Sequence, residues 1–127
     1  MNSIFDVHFR DLVELHPGAR FDLRPDGSRF VIVSNYALPQ GGWNASSTTI
    51  YFIVMSSYPQ AKPDCFWTDP ELKLASGGTP KNSSINKNHG GAQNLLWFSW
   101  HASTWNPNKD SLLTYLRVID RRLREFQ

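Results

Sequence analysis

Two amphipathic helical stripes bracket a middle that reads as strand, and this order constrains the fold more than any single motif. In residues 3–15, Phe5, Phe9, Leu12 and Val13 recur at i, i+4, i+7 and i+8, one face of a helix. His16-Pro17-Gly18 ends it, because proline disfavours helix in the residue before it and glycine accepts a left-handed cap. Near the other end, Leu112, Leu116, Ile119, Leu123 and Phe126 form a second stripe with Tyr115 beside it, and Asn106-Pro107 or Asn108 is placed to cap it. Between the two, Phe21 and Leu23 alternate with polar neighbours, Pro25-Asp26-Gly27 makes a tight turn, and Arg29 to Val33 completes a hairpin. Thr48–Met55 is the most β-biased segment. Cys65, Phe66 and Trp67 form a short strand in a stretch punctuated by Pro59, Pro63 and Pro70. Residues 75–94, rich in Gly, Ser, Asn and Lys, read as a long loop, and such loops in compact domains are functional or mobile. Leu95–His101 is aromatic and extended. As a strand it turns Leu96, Phe98 and Trp100 one way and Trp97, Ser99 and His101 the other. The expected architecture is α+β over residues 1–127: a helix, a four-stranded antiparallel meander, a long loop and a closing helix.

A chain of 127 residues suits one domain, and five Trp, four Tyr and eight Phe supply bulk for a core. The net charge of +2 gives no broad electrostatic footprint for nucleic acid, which is not expected as a partner. A single thiol, Cys65, forms no internal disulfide. The first residues show no basic region followed by an apolar stretch, so no signal peptide is expected. The longest uniformly apolar run, Ile50 to Met55, is too short to cross a bilayer. These features predict a soluble, cytoplasmic protein without a membrane partner.

The element order is that of ubiquitin-conjugating (UBC) enzymes, and two motifs support the match. Tyr58-Pro59-Gln-Ala-Lys-Pro63 resembles the family's Tyr-Pro-x-x-x-Pro segment, and Trp105-Asn-Pro107 resembles the Trp-x-Pro that opens the helix after the catalytic site. Within that family the chain looks like the prokaryotic UBC-like family E. It shares Pro63-Asp64-x-Phe66, a Ser-x-His triplet at Ser99-Trp100-His101, and a short form lacking the last helices. Two departures stand out. Trp100 occupies the middle of the triplet, where a basic residue is associated with the family. The His-Pro-Asn motif is replaced by Asp69-Pro70-Glu71, so no oxyanion-stabilising asparagine carries over. The resemblance implies a conjugating enzyme that receives the C-terminus of a ubiquitin-like protein from a ThiF-type activating enzyme. It implies no bound cofactor.

A conjugating enzyme needs a nucleophile to hold the acyl group, and thiolate suits the task. The family's nucleophile lies shortly before the position of Trp105, where this chain offers Ser99, Ser103 and Thr104 with His101 nearby. Cys65 sits far upstream and reads as a small buried apolar residue. Ser99 with His101 is therefore the predicted catalytic pair, acting through an oxyester with imidazole as base. In a straight strand their Cβ atoms stand roughly 6–7 Å apart, so the pair needs a local bend. Against it stands the plain alternative of an ordinary strand serine and a satisfied histidine. His89 reads either as a second acid–base group folding over the site or as a surface histidine. Cys65, His89 and His101 lack metal-ligand spacing, so no metal is expected. Arg117, Arg121 and Arg124 share one face of the last helix and read as solvated. A catalytically inactive UBC-fold adaptor, binding the activating enzyme or the ubiquitin-like protein, is the competing class.

Overall fold

The computed structural model describes residues 3–127. Helix α1 (Ile4–Leu15) starts at Ser3, whose side chain accepts from the Asp6 N–H while the Asp6 carboxylate accepts from the Ser3 N–H. This reciprocal capping satisfies two of the free donors at the helix start. Strands β1 (Ala19–Leu23), β2 (Arg29–Ala37) and β3 (Ser47–Val54) form an antiparallel meander. Gly27, at φ 86°, closes the β1–β2 turn, where the Asp26 carboxylate accepts from the Ser28 N–H. A bulge between Val33 and Tyr36 shifts the β2–β3 register.

Beyond β3 lie β4 (Phe66–Thr68), β5 (Ser83–Asn86), β6 (Leu95–Phe98) and helix α2 (Leu112–Leu123). Among the described residues the sheet therefore has six strands, in the order β1-β2-β3-β4-β6-β5, rather than four. The two added strands are β6, from the extended segment that begins at Leu95, and β5, from the segment predicted as loop. Its Ser-Ser-Ile-Asn sequence has little strand propensity, but its backbone pairs along β6 from Ser83 opposite Phe98 to Asn86 opposite Leu95.

Alternation decides the two faces of the sheet. Val31, Val33, Ile50, Phe52, Phe66, Leu96 and Phe98 turn toward α1 and α2, where Phe5, Leu12, Leu112, Tyr115, Leu116, Ile119 and Leu123 complete the main core. Phe66 and Phe98 stack across β4 and β6 with ring centroids 4.7 Å apart. On the opposite face Phe30, Ile32, Trp67 and Leu95 form a smaller cluster.

Helix α2 is capped by Ser111 rather than by Asn106 or Asn108. Those asparagines belong to a preceding turn, in which the Asn106 side chain accepts from the Asn108 N–H and Asp110 accepts from the Asn106 N–H. Ser111 and Thr114 cap each other reciprocally. Ser111→Ala is expected to lower stability by about 1 kcal/mol in chemical denaturation. Phe126 lies past the helix against Trp43 and Gly42, where a Cβ on Gly42 would collide with its ring.

Candidate functional site

The two motifs that carry the family resemblance meet in space. The Trp105 indole N–H donates to the Pro59 carbonyl at 2.8 Å, and the Tyr58 and Trp105 rings lie 6.3 Å apart. The Tyr58 hydroxyl also bonds His8 Nδ1 of α1 at 2.6 Å. The segment entering β4 is thus tied to both the first helix and the approach to the last.

Between these anchors sits Cys65, partly exposed, with a left-handed backbone at φ 57°. Such a conformation costs a non-glycine residue about 1–3 kcal/mol and persists only when its surroundings over-determine it. Here the Cys65 N–H donates to the Trp100 carbonyl at 3.0 Å, and the Tyr115 hydroxyl donates to the Cys65 carbonyl at 2.6 Å. In an extended chain adjacent side chains point to opposite sides. The left-handed residue breaks that alternation, and the ligating atoms of Asp64, Cys65 and His101 all lie within 4.8 Å of one another.

His101 and Asp64 are directly bonded, Nδ1 to Oδ1, at 2.5 Å, with side chains 57% and 51% exposed. A carboxylate on Nδ1–H selects the tautomer that leaves Nε2 free to take a proton. Burial pushes the Cys65 thiol above its usual range; the Trp100 backbone bond opposes this, and the Asp64 charge adds to it. The thiol therefore needs a base to become a nucleophile near neutral pH.

Of the predicted pair, His101 lies in this cluster. Ser99 continues the β5–β6 ladder through its N–H, which donates to the Asn82 carbonyl at 2.8 Å. Among the described residues no hydrogen bond joins the Ser99 hydroxyl to His101, whose Nδ1 is taken by Asp64. The strand ends at Phe98, so His101 leaves the sheet line that the alternation assumed.

His89 is neither at this site nor on the surface. It sits in the turn joining β5 to β6, at the Leu95 end, and is not part of the Asp64, Cys65 and His101 cluster. Its ring is buried, stacked on Phe30 at 5.4 Å and edge-on to Trp67 at 5.6 Å. Nδ1 accepts from the Gly91 N–H, so Nε2 donates to the Gln93 carbonyl at 2.9 Å. A Cβ on Gly91 would press into this ring, and the Arg24 guanidinium donates to the His89 carbonyl from outside. His89 folds the turn over the outer face of the sheet.

Asp69, at the position of the missing motif, accepts from the Thr49 N–H, the Thr48 hydroxyl and the Tyr51 hydroxyl. It anchors β3, and Glu71, which stands in the asparagine's place, is a carboxylate that offers no donor to an oxyanion. Arg117, Arg121 and Arg124 are exposed. The arginine the sequence does not reveal is Arg122, 1% exposed beneath Trp100. Asp64 was legible only as part of Pro63-Asp64-x-Phe66; its pairing with His101 had no local signal.

A leading and a closing helix on one face of an antiparallel sheet define a short UBC-like α+β protein, in which the Asp64-Cys65 segment entering β4 meets His101 after β6. The chain belongs to the prokaryotic E2 family E, whose model matches residues 12–126. No curated protein and no solved structure matches it significantly. Family membership supports a conjugating-enzyme-like role and, in general terms, interaction with ubiquitin-like proteins and their activating enzymes. Among the described residues no helix is long and apolar enough to cross a membrane.

Proposed function

We propose that the protein is the conjugating enzyme of a bacterial ubiquitin-like pathway and that Cys65, rather than Ser99, carries the acyl group. One observation supports this reading above the others: the sole thiol of the chain stands within 4.8 Å of an imidazole already held by a carboxylate. A ThiF-type activating enzyme presents the C-terminal carbonyl of the ubiquitin-like protein in activated form. His101 takes the Cys65 proton, Sγ bonds to that carbonyl carbon, and the bond to the activating enzyme's leaving group breaks. The leaving group takes the proton that His101 carries. In the second transfer an amine attacks the same carbon and gives a proton to the now neutral imidazole. The C–S bond breaks, and the departing thiolate takes that proton back from His101. Asp64 is a positioning residue that holds the imidazole.

The test mixes the protein with its activating enzyme, the ubiquitin-like protein and ATP, followed by a denaturing gel. The expected adduct is cleaved by thiol reductant and lost with Cys65→Ala, and persists with Ser99→Ala. A reductant-resistant, base-labile adduct lost with Ser99→Ala places the acyl group on the hydroxyl instead. Stable binding of either partner with no adduct identifies an adaptor and overturns the catalytic reading.

A further inference from the structure

We propose that Asp64, Cys65 and His101 form a binding site for one zinc ion, and that zinc there blocks acyl transfer. The binding stands on the geometry of the cluster alone; its consequence for transfer rests on the function proposed above.

The three side chains bring one sulfur, one nitrogen and one oxygen donor, every pair within 4.8 Å. Around tetrahedral zinc, with bonds of about 2.0–2.3 Å, donors stand roughly 3.3–3.8 Å apart, so the cluster closes on the ion with shifts on the order of 1 Å. Its constraint is unevenly spread, in a way that suits capture of an ion. Cys65 has its left-handed backbone held by the bonds to Trp100 and Tyr115, so its Cα is a fixed point from which the sulfur reaches the ion. Asp64 and His101 stand 2.5 Å apart, closer than two ligands of one ion. Both are more than half exposed and free to part at the surface.

The donor set selects the ion. Calcium and magnesium take shells of oxygen, whereas a thiolate, an imidazole and a carboxylate together suit zinc. Three protein donors at the surface leave a fourth position for water. On binding, the Cys65 proton leaves to solvent and a Zn–S bond forms. The sulfur lone pair that would attack the carbonyl is then engaged, and the imidazole that would take the proton is also engaged. The ion thus competes with the acyl group for the same atoms.

The test uses the whole protein, stripped with a chelator and titrated with zinc alone by calorimetry and with cobalt(II) alone by absorbance. One equivalent of zinc is expected to bind, and cobalt is expected to show a sulfur-to-metal charge-transfer band. Cys65→Ser should abolish that band, and His101→Ala and Asp64→Asn should each weaken zinc binding by at least the roughly 10-fold that loss of a ligand's mere hydrogen-bond partner costs. All three variants keep the thermal transition of the parent within a few degrees, so a lost fold is separable from a lost ligand. No binding, or binding unchanged in Cys65→Ser and His101→Ala, overturns the site. Adduct formation is then compared in zinc and in excess chelator. Inhibition reversed by chelator supports the second half of the proposal, and an adduct indifferent to bound zinc overturns it. A protein that binds zinc through these residues yet forms no adduct under chelator keeps the zinc site and sinks the transfer reading.

Discussion

Arg122→Met is expected to destabilise the fold by about 2–4 kcal/mol, because it removes three hydrogen bonds at once and leaves the Lys81 carbonyl without its donor. The Arg122 guanidinium donates to the backbone oxygens of Lys81, Glu125 and Gln127 at 2.9, 2.9 and 3.0 Å. It also lies over the Phe98 and Trp100 rings, at 5.2 and 5.5 Å from their centroids. Among the described residues no salt bridge joins it to a carboxylate, and burial lowers its pKa. The charge is held by backbone dipoles and aromatic faces, with the Glu125 carboxylate acting on it only through space. A planar fork with several N–H donors spans three acceptors in a way that an ammonium does not. Arg122→Lys is therefore expected to recover less than half of the loss. Chemical denaturation of the three proteins measures both values, and a loss below about 1 kcal/mol for the methionine variant contradicts the account. The lesion also reaches the site, since Trp100 packs on Arg122 while its carbonyl holds the Cys65 N–H.

The second large effect concerns rate. His101→Ala is expected to slow loading of Cys65 by about 10²–10⁴-fold, the usual worth of a positioned base. Its ring is 57% exposed, so stability should change by no more than about 0.5 kcal/mol. Raising the pH distinguishes a lost base from a merely disturbed site. Burial holds the thiol above its ordinary range, so without His101 only the small ionised fraction reacts, and that fraction grows tenfold per pH unit below the thiol pKa. Partial recovery of rate at alkaline pH is the expected signature. Asp64→Asn should cost less, about 10-fold, because asparagine still accepts a hydrogen bond from the imidazole N–H but carries no charge. Equal rates for His101→Ala and the parent at neutral pH exclude imidazole from the chemistry.

Much of the scaffold was legible from periodicity. Phe5 and Leu12, and the stripe from Leu112 to Leu123, are buried where a 3.6-residue repeat puts them. The alternation of Leu96 and Phe98 against Trp97 divides the two faces as a strand requires. These outcomes follow from side-chain spacing along one element, which is a local property. Strand β5 was not legible because its stability comes from backbone bonds to β6 rather than from its own side chains. The helix cap went to Ser111 because the turn at Asn106–Asp110 consumed the asparagines.

The site divides along the same line. The sequence alone marked His101 and, through a resemblance, the Pro63-Asp64-x-Phe66 segment, but it cast Cys65 as a core residue and looked to Ser99. Only tertiary structure turned Cys65 toward His101, because its left-handed backbone is imposed by Trp100 and Tyr115, distant in sequence. Tertiary structure likewise buried Arg122, whose three acceptors come from the β5 approach and the residues after α2. Periodic patterns report what one element does with its own side chains. Which functional groups finally meet depends on hydrogen bonds between elements, and no spacing within a single segment encodes those.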